Sequence, residues 1–185
     1  MCAIRKAGIN PVTALKLFGV AALILSSFLV VTAQQQPDTS PKVEAKLIVG
    51  GSSFADPGIP HTLAGAALRV YITRRLSVES EFLYMRHDKN DQDYYFQPNL
   101  AYDFTDPTKR VVLYGIAGVG VFKHQGDFGL PLEYGTTFTT WTTSFGGGVK
   151  IYLTKRLFVA PEVRVGREPN VRGTVSVGYA FSGRK

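Results

Sequence analysis

His61, His87 and His124 are the side chains best suited to act as bases or metal ligands near neutral pH. They show no paired spacing, and a metal centre needs several donors converging on one point. Each falls in or beside polar, Gly/Pro-rich sequence, so solvent-exposed loop positions are expected. The run His87–Asp93 (HDKNDQD) offers three aspartates, oxygen donors that suit a weak divalent-cation site but lack the spacing of a calcium loop. Hydrolysis needs a nucleophile, a base and an orienting group within reach of one another. Ser52 and Ser53 have no evident partner base, and the pattern puts no His–Ser pair on one strand face. Gly115, Gly118 and Gly120 precede no helix, so they read as close strand packing and not as a phosphate cradle. No catalytic, cofactor-binding or metal-binding residue is therefore expected.

The charged residues carry more information, because they alternate with apolar ones. Gly65–Glu81 (GAALRVYITRRLSVESE) and Gly146–Glu162 (GGGVKIYLTKRLFVAPE) are copies of one pattern, identical at 7 of 17 positions. Each copy alternates, crosses a short Thr-Lys/Arg-Arg turn and alternates again, which is a hairpin of half-apolar strands. A three-residue turn sets Arg69 opposite Glu79. The matching turn sets Lys150 beside Ala160, with Glu162 one diagonal step away. Opposite charges within cross-strand reach stabilise such a pair of strands. The polar faces predict an interior cluster of Lys46, Arg69, Glu79, Glu81, Lys150, Glu162 and Arg164, with Gly65, Gly146, Gly148 and Gly178 making room for it.

The elements needed to position this cluster are eight strands, near 43–54, 62–72, 76–86, 93–104, 110–122, 137–153, 157–167 and 171–182. Each is about as long as a tilted strand that crosses a bilayer, or slightly longer. Connections at 73–75, 105–109 and 154–155 are short, whereas 55–61, 87–92 and 123–136 are longer, the last including Phe128 and Tyr134. That alternation predicts an all-β fold, an eight-stranded antiparallel up-and-down transmembrane barrel with both termini on the short-turn, periplasmic rim. Eight strands leave an interior just wide enough for side chains to fill. Periodicity alone also admits the inverted arrangement, a soluble lipocalin-like barrel with an apolar cavity. Charges deep within strands favour the lipid-facing version, as do aromatics near strand ends (Tyr71, Tyr102, Phe104, Tyr152, Tyr179, Phe181).

The first 33 residues read as a secretory signal peptide. Arg5, Lys6 and Lys16 precede an uncharged run, and Val31 and Ala33 supply small residues before Gln34. The run also approaches membrane-spanning length, so a retained anchor is the competing reading. Residues 34–42 form a short Pro-containing linker, and 43–185 the barrel. The only cysteine, Cys2, lies ahead of the apolar run, so cleavage leaves no thiol or disulfide chemistry. Removing three basic residues lowers the formal net charge from +7 to +4, and no basic tract marks a nucleic-acid surface.

Three segments carry a resemblance to a known family. Gly146–Arg164 resembles the penultimate hairpin of the small outer-membrane β-barrel proteins, the group that includes the membrane domain of outer membrane protein A and outer membrane protein X. Leu113–Lys123 (LYGIAGVGVFK) resembles the group's Gly-rich fifth strand, and Val175–Phe181 (VSVGYAF) its closing strand with alternating aromatics. The resemblance implies residence in the outer membrane of a Gram-negative cell, contact with outer-membrane lipid, and recognition of Tyr179 and Phe181 by the barrel assembly machinery. The lack of a catalytic or metal constellation and of a basic tract gives the expectation of no enzyme activity, no cofactor and no nucleic-acid partner, and the resemblance leaves a structural or surface-interaction role through outer loops. It names no surface partner. The alternatives are a small passive pore and a soluble lipocalin-like binder of an apolar ligand.

Overall fold

The structure, a computed structural model, describes residues 42–53, 60–86, 91–126, 136–167, 169 and 171–181. The expected signal peptide, most of the linker, His87, Phe128, Tyr134 and the residues beyond Phe181 lie outside the described residues.

Eight strands follow one another: β1 (Val43–Ser53), β2 (Pro60–Tyr71), β3 (Leu76–Arg86), β4 (Asp91–Asp103), β5 (Val111–Gly126), β6 (Thr136–Tyr152), β7 (Leu157–Arg167) and β8 (Val171–Ala180). Every neighbouring pair is antiparallel, and β8 pairs with β1 to close the barrel. Closure matters because hydrocarbon offers no partner to an unpaired backbone amide, so an open sheet edge cannot be left there. Pro98 and Pro161 sit at the two places where the residue-by-residue pairing lapses, between β4 and β5 and between β6 and β7, as expected of residues with no N–H to donate.

Alternation sorts the side chains into two environments. Leu47, Val49, Phe82, Leu100, Trp141, Phe145, Val163 and Val177 point outward, and Leu47 is 71% exposed. Arg69, Glu79, Lys150 and Arg164 point inward, and Arg69 is fully buried. The apolar face is thus outside and the charged face inside, the reverse of a lipocalin-like barrel. Arg69 stands opposite Glu79 in the β2–β3 register.

The strands run further outward than the composition suggests. The segments expected as loops at 55–61, 87–92 and 123–136 contribute Pro60–His61 to β2, Asp91–Gln92 to β4, Lys123–Gly126 to β5 and Thr136 to β6. Asp91 pairs with Gly126, and Gly126 with Thr136, so polar residues continue the ladder past the apolar band. β5 and β6 reach 16 and 17 residues, more than a bilayer crossing requires.

The short turns are set by threonine. The Thr73 hydroxyl accepts the amides of Arg75 (3.3 Å) and Leu76 (3.0 Å). The Thr154 hydroxyl accepts those of Arg156 (3.2 Å) and Leu157 (2.9 Å). A threonine hydroxyl satisfies turn amides in this way without needing a glycine. The longer β4–β5 turn is held by Asp106, whose carboxylate accepts the amide (2.9 Å) and hydroxyl (2.7 Å) of Thr108. Those two bonds hold the Asp106 carboxyl below its ordinary pKa.

Gly178 makes room for one ring: a Cβ there would collide with the Phe158 ring, whereas a Cβ on Gly173 meets nothing within 4 Å. Gly178→Val is therefore expected to destabilise the barrel by about 1–3 kcal/mol through overpacking. Gly173→Ala should change stability by less than about 0.5 kcal/mol. Urea unfolding in lipid vesicles, followed through the single tryptophan, Trp141, checks both.

Candidate functional site

The inward faces bring five cations and five carboxylates into one buried network: Lys46, Arg69, Lys150, Arg164 and Arg172 against Glu44, Glu79, Glu81, Asp103 and Glu162. Glu79 on β3 is its hub. Lys46 Nζ on β1 lies 2.9 Å from Glu79 Oε1 and 2.8 Å from Oε2. Arg69 Nε on β2 donates to Oε2 at 2.6 Å, and Arg164 Nη2 on β7 reaches Oε1 at 3.5 Å. Three strands besides its own thus converge on one carboxylate.

Arg164 spans the lumen. Its Nε donates to Glu162 Oε1 (2.6 Å), its Nη1 to Asn99 Oδ1 (2.9 Å) and its Nη2 to Glu81 Oε2 (3.0 Å). Arg172 Nη2 on β8 lies 2.8 Å from the other Glu81 oxygen. Tyr114 donates to Glu162 Oε2 at 2.7 Å. The Arg69 Nη atoms have no hydrogen-bond acceptor among the described residues; the guanidinium instead lies 4.6 Å from the centre of the Tyr114 ring. Arg172 stacks similarly on Tyr95, at 5.3 Å. An aromatic face is a favourable surface for a desolvated guanidinium.

Toward the short-turn rim the network continues around Lys150. Its Nζ donates to Asp103 Oδ2 (3.1 Å) and Glu44 Oε1 (3.4 Å) and to the Tyr71 hydroxyl. Tyr152 donates to Glu44 at 2.8 Å, and the Tyr71 hydroxyl lies 2.9 Å from Asp103. Lys150 therefore takes Glu44 and Asp103 as its partners, whereas the diagonal spacing pointed to Glu162, which bonds Arg164 and Tyr114 instead. Tyr71 and Tyr152, expected among the interface aromatics, are inside because they share the face of Arg69 and Lys150. Tyr102, Phe104, Tyr179 and Phe181 do face outward. Tyr179 and Phe181 pack edge to face at 5.5 Å, and the Tyr179 hydroxyl accepts Arg156 Nη1 at 3.0 Å.

The glycines of the polar face relieve specific neighbours. A Cβ on Gly146 would press on Arg164, one on Gly148 on the Tyr114 ring, and one on Gly65 on Leu83. Apolar clusters flank the charged layer. Ile48, Leu63, Leu83, Met85, Tyr95 and Phe122 lie toward the outer rim, and Val112, Ile116, Phe158 and Ala160 toward the short-turn rim.

His61 and His124 are not in loops. Both lie on strands with their rings turned inward, to either side of Asp93 on β4. His124 Nδ1 is 2.7 Å from Asp93 Oδ1 and His61 Nε2 is 3.7 Å from Oδ2. Asp93 is thus a buried strand residue and not part of an acidic loop. Ser52 and His61 do stand opposite each other on the inward face, contrary to the sequence expectation, because β2 begins earlier than its composition suggests. The Ser52 hydroxyl is directed at the Met85 sulfur, 3.7 Å away. Among the described residues no group of three or more His, Cys, Asp or Glu side chains has the arrangement of a metal site.

Glu44, Asp103 and Arg172 are members that sequence reasoning missed. Each alternates with outward apolar neighbours, which is the signal that could have found them.

A closed barrel with an apolar exterior and a charge-packed interior is a transmembrane β-barrel protein. The chain belongs to the outer membrane protein beta-barrel domain family, which matches residues 20–181. Among solved structures it is similar to the N-terminal β-barrel domain of Pseudomonas aeruginosa OprF, with a TM-score of 0.62 and 17% identity over 76% of this chain and 97% of that one. It is also similar to Neisserial surface protein A, NspA (TM-score 0.59, 17% identity, 75% and 96% covered). A third is Ail, the attachment invasion locus protein of Yersinia pestis (TM-score 0.51, 12% identity, 76% and 97%). These likenesses establish the fold. No curated protein sequence matches the chain.

Removing one member of a buried ion network leaves its partners desolvated and uncompensated. Glu79→Ala is expected to destabilise the barrel by about 3–5 kcal/mol. The measurement is the urea midpoint of the variant refolded in vesicles, and a change below 1 kcal/mol would mean the network contributes little.

Proposed function

We propose that this protein is a non-conducting outer-membrane anchor whose barrel displays surface-interaction loops. On this reading residues 1–33 direct export and are removed, and 34–42 link the mature N-terminus to the barrel. The closing-strand residues Tyr179 and Phe181 engage the barrel assembly machinery, and partners are met by the outer connections between β1 and β2, β3 and β4, and β5 and β6. The chemistry is recognition and not catalysis.

The observation that carries the proposal is the interlocked Lys46–Glu79–Arg69 and Arg164–Glu81–Arg172 network across the lumen. Ions crossing there would have to separate buried pairs at close contact, a costly step in a low-dielectric interior. Surface recognition then falls to the outer connections, because loops on a rigid scaffold are where binding residues concentrate.

Single-channel recording in planar bilayers tests this. The expected result is no sustained stepwise conductance for the refolded chain. A stable open level, altered by Arg69→Gln or Glu79→Gln, would establish the pore instead.

A further inference from the structure

The short-turn rim carries a repetition that the fold alone does not demand. Each of its three turns ends in threonine, two basic residues and an aliphatic one: Thr73-Arg74-Arg75-Leu76, Thr108-Lys109-Arg110-Val111 and Thr154-Lys155-Arg156-Leu157. All six cations are exposed. The backbone places the second cation of each turn equivalently. The carbonyl of Arg75 accepts the amide of Asp103 (2.8 Å), that of Arg110 the amide of Tyr152 (2.9 Å), and that of Arg156 the amide of Ala180 (2.8 Å). Three dibasic pairs therefore recur at equivalent backbone positions around the rim. Asp106 is the one carboxylate of these turns, and it lies beside Arg74 and Arg75.

These cations border the apolar band directly. Tyr102 and Tyr179 each immediately precede the residue whose amide is bonded to an arginine carbonyl, and both rings are exposed on the lipid side. Arg156 Nη1 donates to the Tyr179 hydroxyl, which shows the guanidinium lying along the wall at the interface. Between the first two turns a groove of about 400 Å³ is lined by Thr73, Arg74, Arg75, Tyr102, Asp106 and Pro107. An arginine pair beside an aromatic ring at the edge of a hydrocarbon band matches one chemistry: a phosphate group whose acyl chains lie against that band.

We propose that the short-turn rim is a docking surface for anionic phospholipid headgroups, with the dibasic pairs holding the lipid phosphates and the Arg74–Arg75–Tyr102 groove the best-formed seat. With the short turns on the periplasmic side, the lipids are those of the inner leaflet. The surface adds a specific lipid preference to the anchor described above, but it requires only that the barrel spans a bilayer. It holds whether or not the barrel conducts.

The test uses the full chain refolded in phosphatidylcholine vesicles containing a minor fraction of spin-labelled phosphatidylglycerol or spin-labelled phosphatidylcholine. The fraction of motionally restricted label reports the lipids held at the barrel. Phosphatidylglycerol is expected to be favoured by about threefold or more at low salt, falling toward parity in 1 M salt. The paired variants Arg74→Gln/Arg75→Gln, Lys109→Gln/Arg110→Gln and Lys155→Gln/Arg156→Gln should each lower the preference, the first most. Arg74→Lys/Arg75→Lys should retain most of it. The heat-dependent shift in gel mobility confirms that each variant is folded, and the salt titration of the unaltered chain needs no variant. Equal retention of both lipids overturns the proposal, as does a preference that survives all three paired variants. Salt-sensitive capture on isolated peptidoglycan without lipid preference would assign the rim to the acidic cell-wall polymer and also overturn it.

Discussion

Ten charged groups enclosed by eight strands place the strictest constraint on the interior of this molecule. A barrel of this size has room for side chains inside, so its inner face must be filled, and any charge placed there must meet an opposite one. Glu79 meets that requirement by gathering Lys46, Arg69 and Arg164 from three other strands. The lipid-facing wall is permissive by comparison, since one aliphatic side chain exchanges for another against hydrocarbon. The Arg69–Glu79 register and the space that Gly146 leaves beside Arg164 serve the ion pairs.

The internal repeat gains a structural meaning in this light. Its two copies form the β2–β3 and β6–β7 hairpins, four strands apart in the barrel. Equivalent residues from the two walls meet within the lumen. Tyr71 and Tyr152 both reach Glu44 on β1. Glu81 and Glu162 both bind Arg164. A pattern that supplies tyrosine, base and acid on one face therefore serves both walls of a narrow barrel, and the shared threonine turn holds each hairpin in register.

The sequence made the strands, their order, the direction of each face and the Arg69–Glu79 register legible, because these depend on a period of two and on a turn of fixed length. It did not reveal which charges meet across the lumen. Lys150 with Asp103, or Arg164 with Glu81, depends on how the closed sheet is staggered, which no local spacing encodes. The outer ends of the strands were obscured for a different reason. Beyond the hydrocarbon the outward face turns polar, so alternation fades although the ladder continues through His124 and Gly126. His61 and His124 looked like loop residues for that reason, and their convergence on Asp93 was hidden. Tyr71 and Tyr152 lie near strand ends, where interface aromatics concentrate, but the parity they share with Arg69 and Lys150 turns them inward.

Charges from opposite walls are bound to each other inside the barrel. A double-mutant cycle between Glu81 on β3 and Arg164 on β7, 3.0 Å apart, measures that pairing. The cycle would compare Glu81→Gln, Arg164→Met and the double variant by equilibrium unfolding in vesicles. A coupling energy of about 1–3 kcal/mol is expected, as found for residues in contact within one network. Additivity within about 0.5 kcal/mol would mean that the two side chains do not meet and that this network does not fill the lumen.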